Sequence, residues 1–325
     1  MAGALAFLVT FGIVVPGTWV ALAWLRHRAI LDLPNDRSSH TIPTPRGGGL
    51  AVVPAILLVW AVLVATGNAA TGSGIVTLAA AGLLLISWQD DRKGLPPLQR
   101  FAAHALAVIA GLFALPHDML ILQGWAPLWL DRVVAFFAWA WFLNLTNFMD
   151  GIDGITGVEI GSVGVGLAIV AGIGMGHPAP ALAMAAGAIA FLYWNWSPAR
   201  IFLGDSGSVP LGYLTGWLLI EAAAHGAWAA ALILPGYYWA DATITLARRA
   251  LRGERVWVAH REHFYQQAIR RGGSHGAVSG RVLLTNAFLV LAATASLAHP
   301  WYALAAATVI VALLLWRLAK FPTPP

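Results

Sequence analysis

The chain has 325 residues, of which 59% are hydrophobic and only 10% are Asp, Glu, Lys or Arg, and its mean hydropathy is +0.74. An ordinary soluble domain carries about 25% charged residues, so soluble, disordered, coiled-coil and collagen-like classes are excluded and a polytopic membrane protein remains. The lack of cysteine removes disulfides, thiolate metal sites and thiol nucleophiles.

Apolar stretches long enough to cross a hydrocarbon core of about 30 Å recur along the chain. In order they fall at about 4–25, 49–67, 73–89, 99–115, 128–148, 155–175, 179–195, 207–222, 227–247, 281–298 and 301–318. The expected fold is all-α with about eleven transmembrane helices, a single catalytic domain over 1–325 with no repeat or linker. The first stretch is too long for a signal-peptide core and lacks a basic leader, so it is expected to stay as an anchor.

If successive spans alternate, the connections 26–48, 90–98, 149–154, 196–206 and 248–280 share one side with the C-terminal tail. Eighteen of the nineteen Lys and Arg residues fall on or beside these segments, with Arg132 alone opposite. The positive-inside rule makes that side cytoplasmic, with the N-terminus outside and the C-terminus inside. The basic excess is therefore a topology signal. No soluble basic module exists to bind nucleic acid.

Most of the acids gather on the same side, in five constellations. Asp90 and Asp91 end the third span beside Arg92 and Lys93, and adjacent carboxylates about 5 Å apart repel by roughly 3 kcal/mol at an effective dielectric near 20. That pair reads either as a solvated turn or as a proton acceptor or metal ligand at the bilayer edge. Asn144, Asn147, Asp150 and Asp153 then recur every three residues after an intensely apolar run. On a straight α-helix the nine residues from Asn144 to Asp153 turn through about 900°, which sets the two ends on opposite faces. Convergence on one site requires the helix to break between Asn147 and Gly154, which Gly151 and Gly154 permit.

Asp205 sits between small residues at a helix start with Ser206 and Ser208, where free N–H groups suit a phosphate; Arg200 lies just before it. His260, Arg261, Glu262 and His263 occupy the basic loop after the ninth span. Their spacing lacks the third ligand of a zinc site, and binding of an anion by Arg and His fits better. Arg37, His40 and Arg46 give the first loop anion-binding capacity, and Gly47, Gly48 and Gly49 either cradle a phosphate or open the second span. Acids and bases crowded on one membrane face are balanced most naturally by a divalent cation and phosphates, the set used in phosphoryl transfer.

Taken together, Asp90-Asp91, the Asn144–Gly154 string and Gly204-Asp205-Ser206-Gly207 resemble the polyprenyl-phosphate N-acetylhexosamine-1-phosphate transferases. The resemblance runs from Asp32 to Tyr265. It implies a multi-pass enzyme of the bacterial cytoplasmic (inner) membrane that transfers a sugar-1-phosphate from a UDP-N-acetylhexosamine to undecaprenyl phosphate and releases UMP. It also implies Mg²⁺, or Mn²⁺ in its place, a site on the cytoplasmic face, and an assembly left open between monomer and homodimer.

Residue by residue, the resemblance assigns Asp90, Asp91 and Asp153 to catalysis and Asp205 with Asn147 to the metal. Asn144, Asn147, Asp150, Arg37, His40, Arg46, Arg200, His260, Arg261, His263 and Glu159 are assigned to substrate. The wording around Arg37–His40 and Pro43–Gly49, with Glu159, looks like the O-antigen branch using a GlcNAc, FucNAc or QuiNAc donor. The single His260-Arg261-Glu262-His263 set argues against the pentapeptide translocase of the same superfamily. A secondary transporter would place its polar groups near the midplane between repeated halves, whereas these crowd one interface.

Overall fold

The computed structural model describes residues 1–34, 39–70, 72–256 and 260–321. The chain is helical almost throughout. α1 (Ala2–His27), α2 (Gly49–Ala65), α3 (Ser73–Lys93), α4 (Pro97–Ala114) and α5 (Leu128–Met149) are followed by α6 (Ile155–Val170), α7 (Pro178–Asn195) and α8 (Asp205–Ala222). The rest comprises α9 (Trp228–Ile233), α10 (Gly236–Leu251), the short α11 (Phe264–Arg270), α12 (His275–Ala295) and α13 (Pro300–Ala319). Eight helical segments among the described residues are long and apolar enough to cross a membrane, and α2 is a shorter apolar helix.

Burial runs the way a bilayer demands. Every residue of α8 from Ser206 to Ala222 is buried, while Leu78, Leu106 and Phe113 on outer helices are 75%, 67% and 86% exposed. Such apolar exposure is untenable in water, and a helix apolar all round belongs at the centre of a bundle. α8 packs against α3 and α5, and α6 lies along α7, which in turn lies along α1.

Two expectations about the spans are corrected. The stretch 227–247 is not one helix: a π-helical turn at Ala223–Ala227, with Gly226 at φ +96°, carries α8 into α9, and Pro235 separates α9 from α10. The inner loop expected at 248–280 is shorter, because it contains α11 and the first turns of α12. Hydropathy averages over both breaks and cannot see them.

The loop between α1 and α2 is pinned by backbone pairing. Leu31–Asp32 forms a two-residue antiparallel ladder with Thr44–Pro45, and Arg46 bridges in parallel to Phe202. The N–H groups of Gly47 and Gly48 donate to the Phe202 carbonyl at 3.1 and 2.9 Å, and Gly49 donates to Leu203 at 2.9 Å. The glycine run thus opens α2 against α8. A Cβ on Gly49 would stand 2.2 Å from the Gly207 nitrogen. Gly49→Ala should therefore force two backbones apart and cost about 1–3 kcal/mol, as overpacking does. Gly82→Ala, whose Cβ meets nothing within 4 Å, is the control. A thermal melt of the two variants in detergent checks this, and equal midpoints would refute it.

Candidate active site

The α5 helix ends at Met149 with Asp150 as its cap, residues 150–154 turn without helical geometry, and Gly154 at φ +78° starts α6. The break expected from the triplet spacing is therefore present. It sorts the polar string over two cavities rather than gathering it in one. A cleft of about 370 Å³ is lined by Asn147, Asp150, Asp153, Asp205, Arg46 and His40, with Asp32, Gln266 and His275. A smaller cavity of about 40 Å³ lies between α3, α4, α5 and α8, lined by Asp90, Arg100, His104, Asn144, Asn147 and Asp205. Asn147 and Asp205 belong to both and form the wall between them.

That wall is tightly bonded. The Asn147 amide nitrogen donates to Asp205 Oδ1 at 3.1 Å and to Ser208 Oγ at 2.9 Å. Arg46 Nη2 lies 2.8 Å from Asp205 Oδ1 and 2.9 Å from Asp91 Oδ1, so two carboxylates converge on one positive point. Asp205, Asp91 and the amide oxygen of Asn147 are hard donors of the kind that hold a divalent cation beside phosphate oxygens. Among the described residues no group of three or more His, Asp or Glu forms a cage for a metal by itself. A shared protein–phosphate coordination sphere is what this donor set fits.

Asp90 and Asp91 are adjacent in sequence and opposite in use. The Asp91 carboxylate accepts from the backbone N–H groups of Asp205 and Ser206, both at 2.9 Å, and so caps α8 from another helix. The expectation of a phosphate at that helix start is corrected: Asp91 already takes its N–H groups. Gly204 is required there, since a Cβ would come within 2.8 Å of Asp91 Oδ2. Asp90 turns to the α3–α4 turn, accepting from Leu95 N–H at 2.6 Å and from Arg100 at 3.2 Å.

Asp153 is held by His275 Nδ1 at 3.0 Å and by the Ala199 N–H at 3.1 Å. Burial alone would raise its pKa, but the hydrogen bond and charge of His275 and the Ala199 N–H outweigh it, leaving the carboxyl below its ordinary range. Asp150 goes the other way. Burial pushes it up to about 7, with Asp205 and Asp91 adding and Thr156 and Arg46 opposing.

Several expected ligands stand elsewhere. Glu159 is fully buried between α6 and α12, where Oε2 accepts from the Asn286 amide at 2.7 Å, and it does not reach the cleft. Arg200 packs on the rings of Tyr193 and Trp194 at 5.3 and 5.2 Å. His260, Arg261 and His263 do not line the cleft. His260 is lowered to about 4 by burial, with His263 and Arg249 adding. His263 Nδ1 meets Asp241 Oδ1 at 3.1 Å, and Asp241 also accepts from the N–H groups of Phe264 and Tyr265. That loop thus anchors α11, whose Gln266 reaches the cleft. Arg37 lies outside the described residues.

The sequence reading missed His275, Arg100 and His104. His104 Nδ1 lies 3.0 Å from Asn144 Oδ1, and Asn195 accepts from Gly154 N–H at 2.9 Å, holding the turn. For Arg100 and His104 a signal was available: they lie four apart on α4, on one face, within a helix otherwise free of charge.

The comparisons with known proteins bear on the same residues. Residues 73–223 match the model of glycosyl transferase family 4, a range that takes in Asp90, Asp91, the Asn144–Asp153 string and Asp205. A probable undecaprenyl-phosphate N-acetylglucosaminyl 1-phosphate transferase of Bacillus subtilis is 25% identical over 75% of this chain and 71% of its own. A decaprenyl-phosphate N-acetylglucosaminephosphotransferase of Mycolicibacterium smegmatis is 28% identical over 79% and 74%. A phospho-N-acetylmuramoyl-pentapeptide-transferase of Synechocystis is 34% identical over 52% and 50%. Over these residues the chain is thus similar to glycosyl transferase family 4 and to curated polyprenyl-phosphate sugar-1-phosphate transferases.

The raised Asp150 carboxyl has a consequence for stability. A carboxyl whose folded pKa lies above its unfolded value of about 3.9 binds its proton more firmly when folded, so stability falls as pH rises from about 4 to 7. Asp150→Asn should raise the melting midpoint more at pH 8 than at pH 5. Equal shifts at the two pH values would contradict the burial.

Proposed function

We propose that the protein transfers an N-acetylhexosamine-1-phosphate, of GlcNAc, FucNAc or QuiNAc type, from a UDP-sugar to undecaprenyl phosphate, releasing UMP. The observation that carries this reading is the shared wall: two cavities of unequal size meet at Asn147 and Asp205, as a transfer between two substrates needs. The larger cleft takes the nucleotide sugar. Its volume lies in the range of small-molecule sites, and four of its walls are carboxylates, so a dianionic diphosphate enters only with a cation. Asp205 and Asn147 hold Mg²⁺ or Mn²⁺, which neutralises charge on the diphosphate. The smaller cavity receives the lipid phosphate beside Arg100, His104 and Asp90.

Within that arrangement Asp90 orients the lipid phosphate and takes any proton it carries. The second proton of a phosphate monoester has a pKa near 6, so placement and charge neutralisation outweigh base strength. A lipid phosphate oxygen bonds to the sugar-linked phosphorus, the bond from that phosphorus to the bridging oxygen breaks, and UMP leaves with the electron pair. Asp91, engaged by two N–H groups and Arg46, is a positioning residue. Arg46 and His40 lie on the donor's path, and Asp150 and Asp153 face its nucleotide.

The gathering of basic residues supports a cytoplasmic face for the site, with eleven crossings if α2, α7 and the broken α9–α10 rod each span the bilayer. An assay with a panel of UDP-N-acetylhexosamines and undecaprenyl phosphate, reading UMP, tests the whole. UMP release should require lipid and metal, and Asp205→Asn should reduce it at least a hundredfold. Full turnover in excess chelator would refute the metal. Exchange of labelled UMP into UDP-sugar in delipidated protein, lost in Asp90→Asn, would replace direct attack with a covalent aspartyl intermediate.

A further inference from the structure

Asp205 Oδ1 already accepts from the Arg46 guanidinium at 2.8 Å and from the Asn147 amide at 3.1 Å. A divalent cation held by that carboxylate would lie within a few ångströms of the guanidinium, where like charges repel strongly. The Arg46 side chain therefore competes with the ion for one seat. Its backbone cannot withdraw, because the Pro45 carbonyl accepts from Phe202 N–H at 2.8 Å and Gly47 and Gly48 donate to the Phe202 carbonyl. Its side chain can: it is one-third exposed and lines the same cleft as Asp150 and Asp153.

We propose that Arg46 is an internal counter-ion that holds the metal seat at Asp205 and Asn147 until an anionic diphosphate in the cleft draws its guanidinium away and lets the divalent ion in. The inference rests on the transferase reading of the cleft. Planar guanidinium suits both partners, since it pairs with carboxylate and with phosphate oxygens alike. Metal affinity then depends on the nucleotide: where the seat is free for only a tenth of the time, the ion binds ten times more weakly than the bare site would allow. By linkage the metal tightens the nucleotide to the same degree. The arrangement keeps the buried Asp91 and half-buried Asp205 carboxylates neutralised throughout the cycle, which limits the cost of leaving either unpaired.

The test uses the full chain in nanodiscs, with Mn²⁺ read by electron paramagnetic resonance and UDP as the probe anion. Without UDP, Arg46→Gln should bind Mn²⁺ at least tenfold more tightly than the parent, and Arg46→Lys, which keeps the charge, should stay within about threefold of it. An unchanged or weaker affinity in Arg46→Gln overturns the proposal. A second measurement needs no substitution. Phenylglyoxal modification of Arg46, read by peptide mass spectrometry, should quicken at saturating Mn²⁺ and slow again on adding UDP, and a rate indifferent to Mn²⁺ overturns it equally. Asp205→Asn separates the two levels. Loss of Mn²⁺ binding in that variant with no Arg46 effect sinks only the counter-ion, whereas unchanged binding sinks the metal assignment beneath it.

Discussion

The capping of α8 by Asp91 is the interaction on which the rest of the site depends. A helix that starts inside a membrane bundle has N–H groups with no intrahelical partner, and no water to take them. Asp91, one turn from the end of α3, supplies both oxygens to the first two N–H groups of α8 and meets the positive end of its dipole. Breaking it would leave two buried donors unpaired, each worth about 1–3 kcal/mol. It also fixes the position of Asp205, since the residue that is capped is the residue that lines both cavities. The same device recurs at Asp241, which caps α11 and holds His263.

Around that cap the packing leaves little freedom. Gly49 and Gly207 bring the starts of α2 and α8 into backbone contact, and Gly204 leaves room for the Asp91 carboxylate. On α6, Gly164 lies against the α7 backbone, where a Cβ would meet Ala185 N at 2.9 Å. Close approach through small residues is how helices associate where lipid offers no hydrophobic drive. The loop between α1 and α2 is stitched to residues 202–203 by main-chain hydrogen bonds, so Arg46 reaches the carboxylates from a fixed base.

Much of this was legible in the sequence. Composition excludes a soluble protein outright, and the triplet spacing from Asn144 to Asp153 requires the helix break that stands at Asp150. Asp205, singled out among small residues, lies where the two cavities meet. What was not legible is direction. Neighbouring residues on a helix diverge by about 100°, so Asp90 and Asp91, alike on the page, serve different ends. Glu159 and His263 look like ligands because they are polar in an apolar setting, yet Asn286 and Asp241 satisfy them from distant segments. Sequence order does not reveal such partners. Asn144 belongs to the polar string but faces the smaller cavity, because the break comes after it.

A wall only two side chains thick also shapes traffic. On the transferase reading, the nucleotide product retreats through the cleft beside the inner loops, while the lipid product withdraws among α3, α4 and α5. Neither leaving molecule obstructs the other's exit. The fold therefore imposes no order of departure, and a fresh lipid can settle behind the wall while the spent nucleotide still occupies its front.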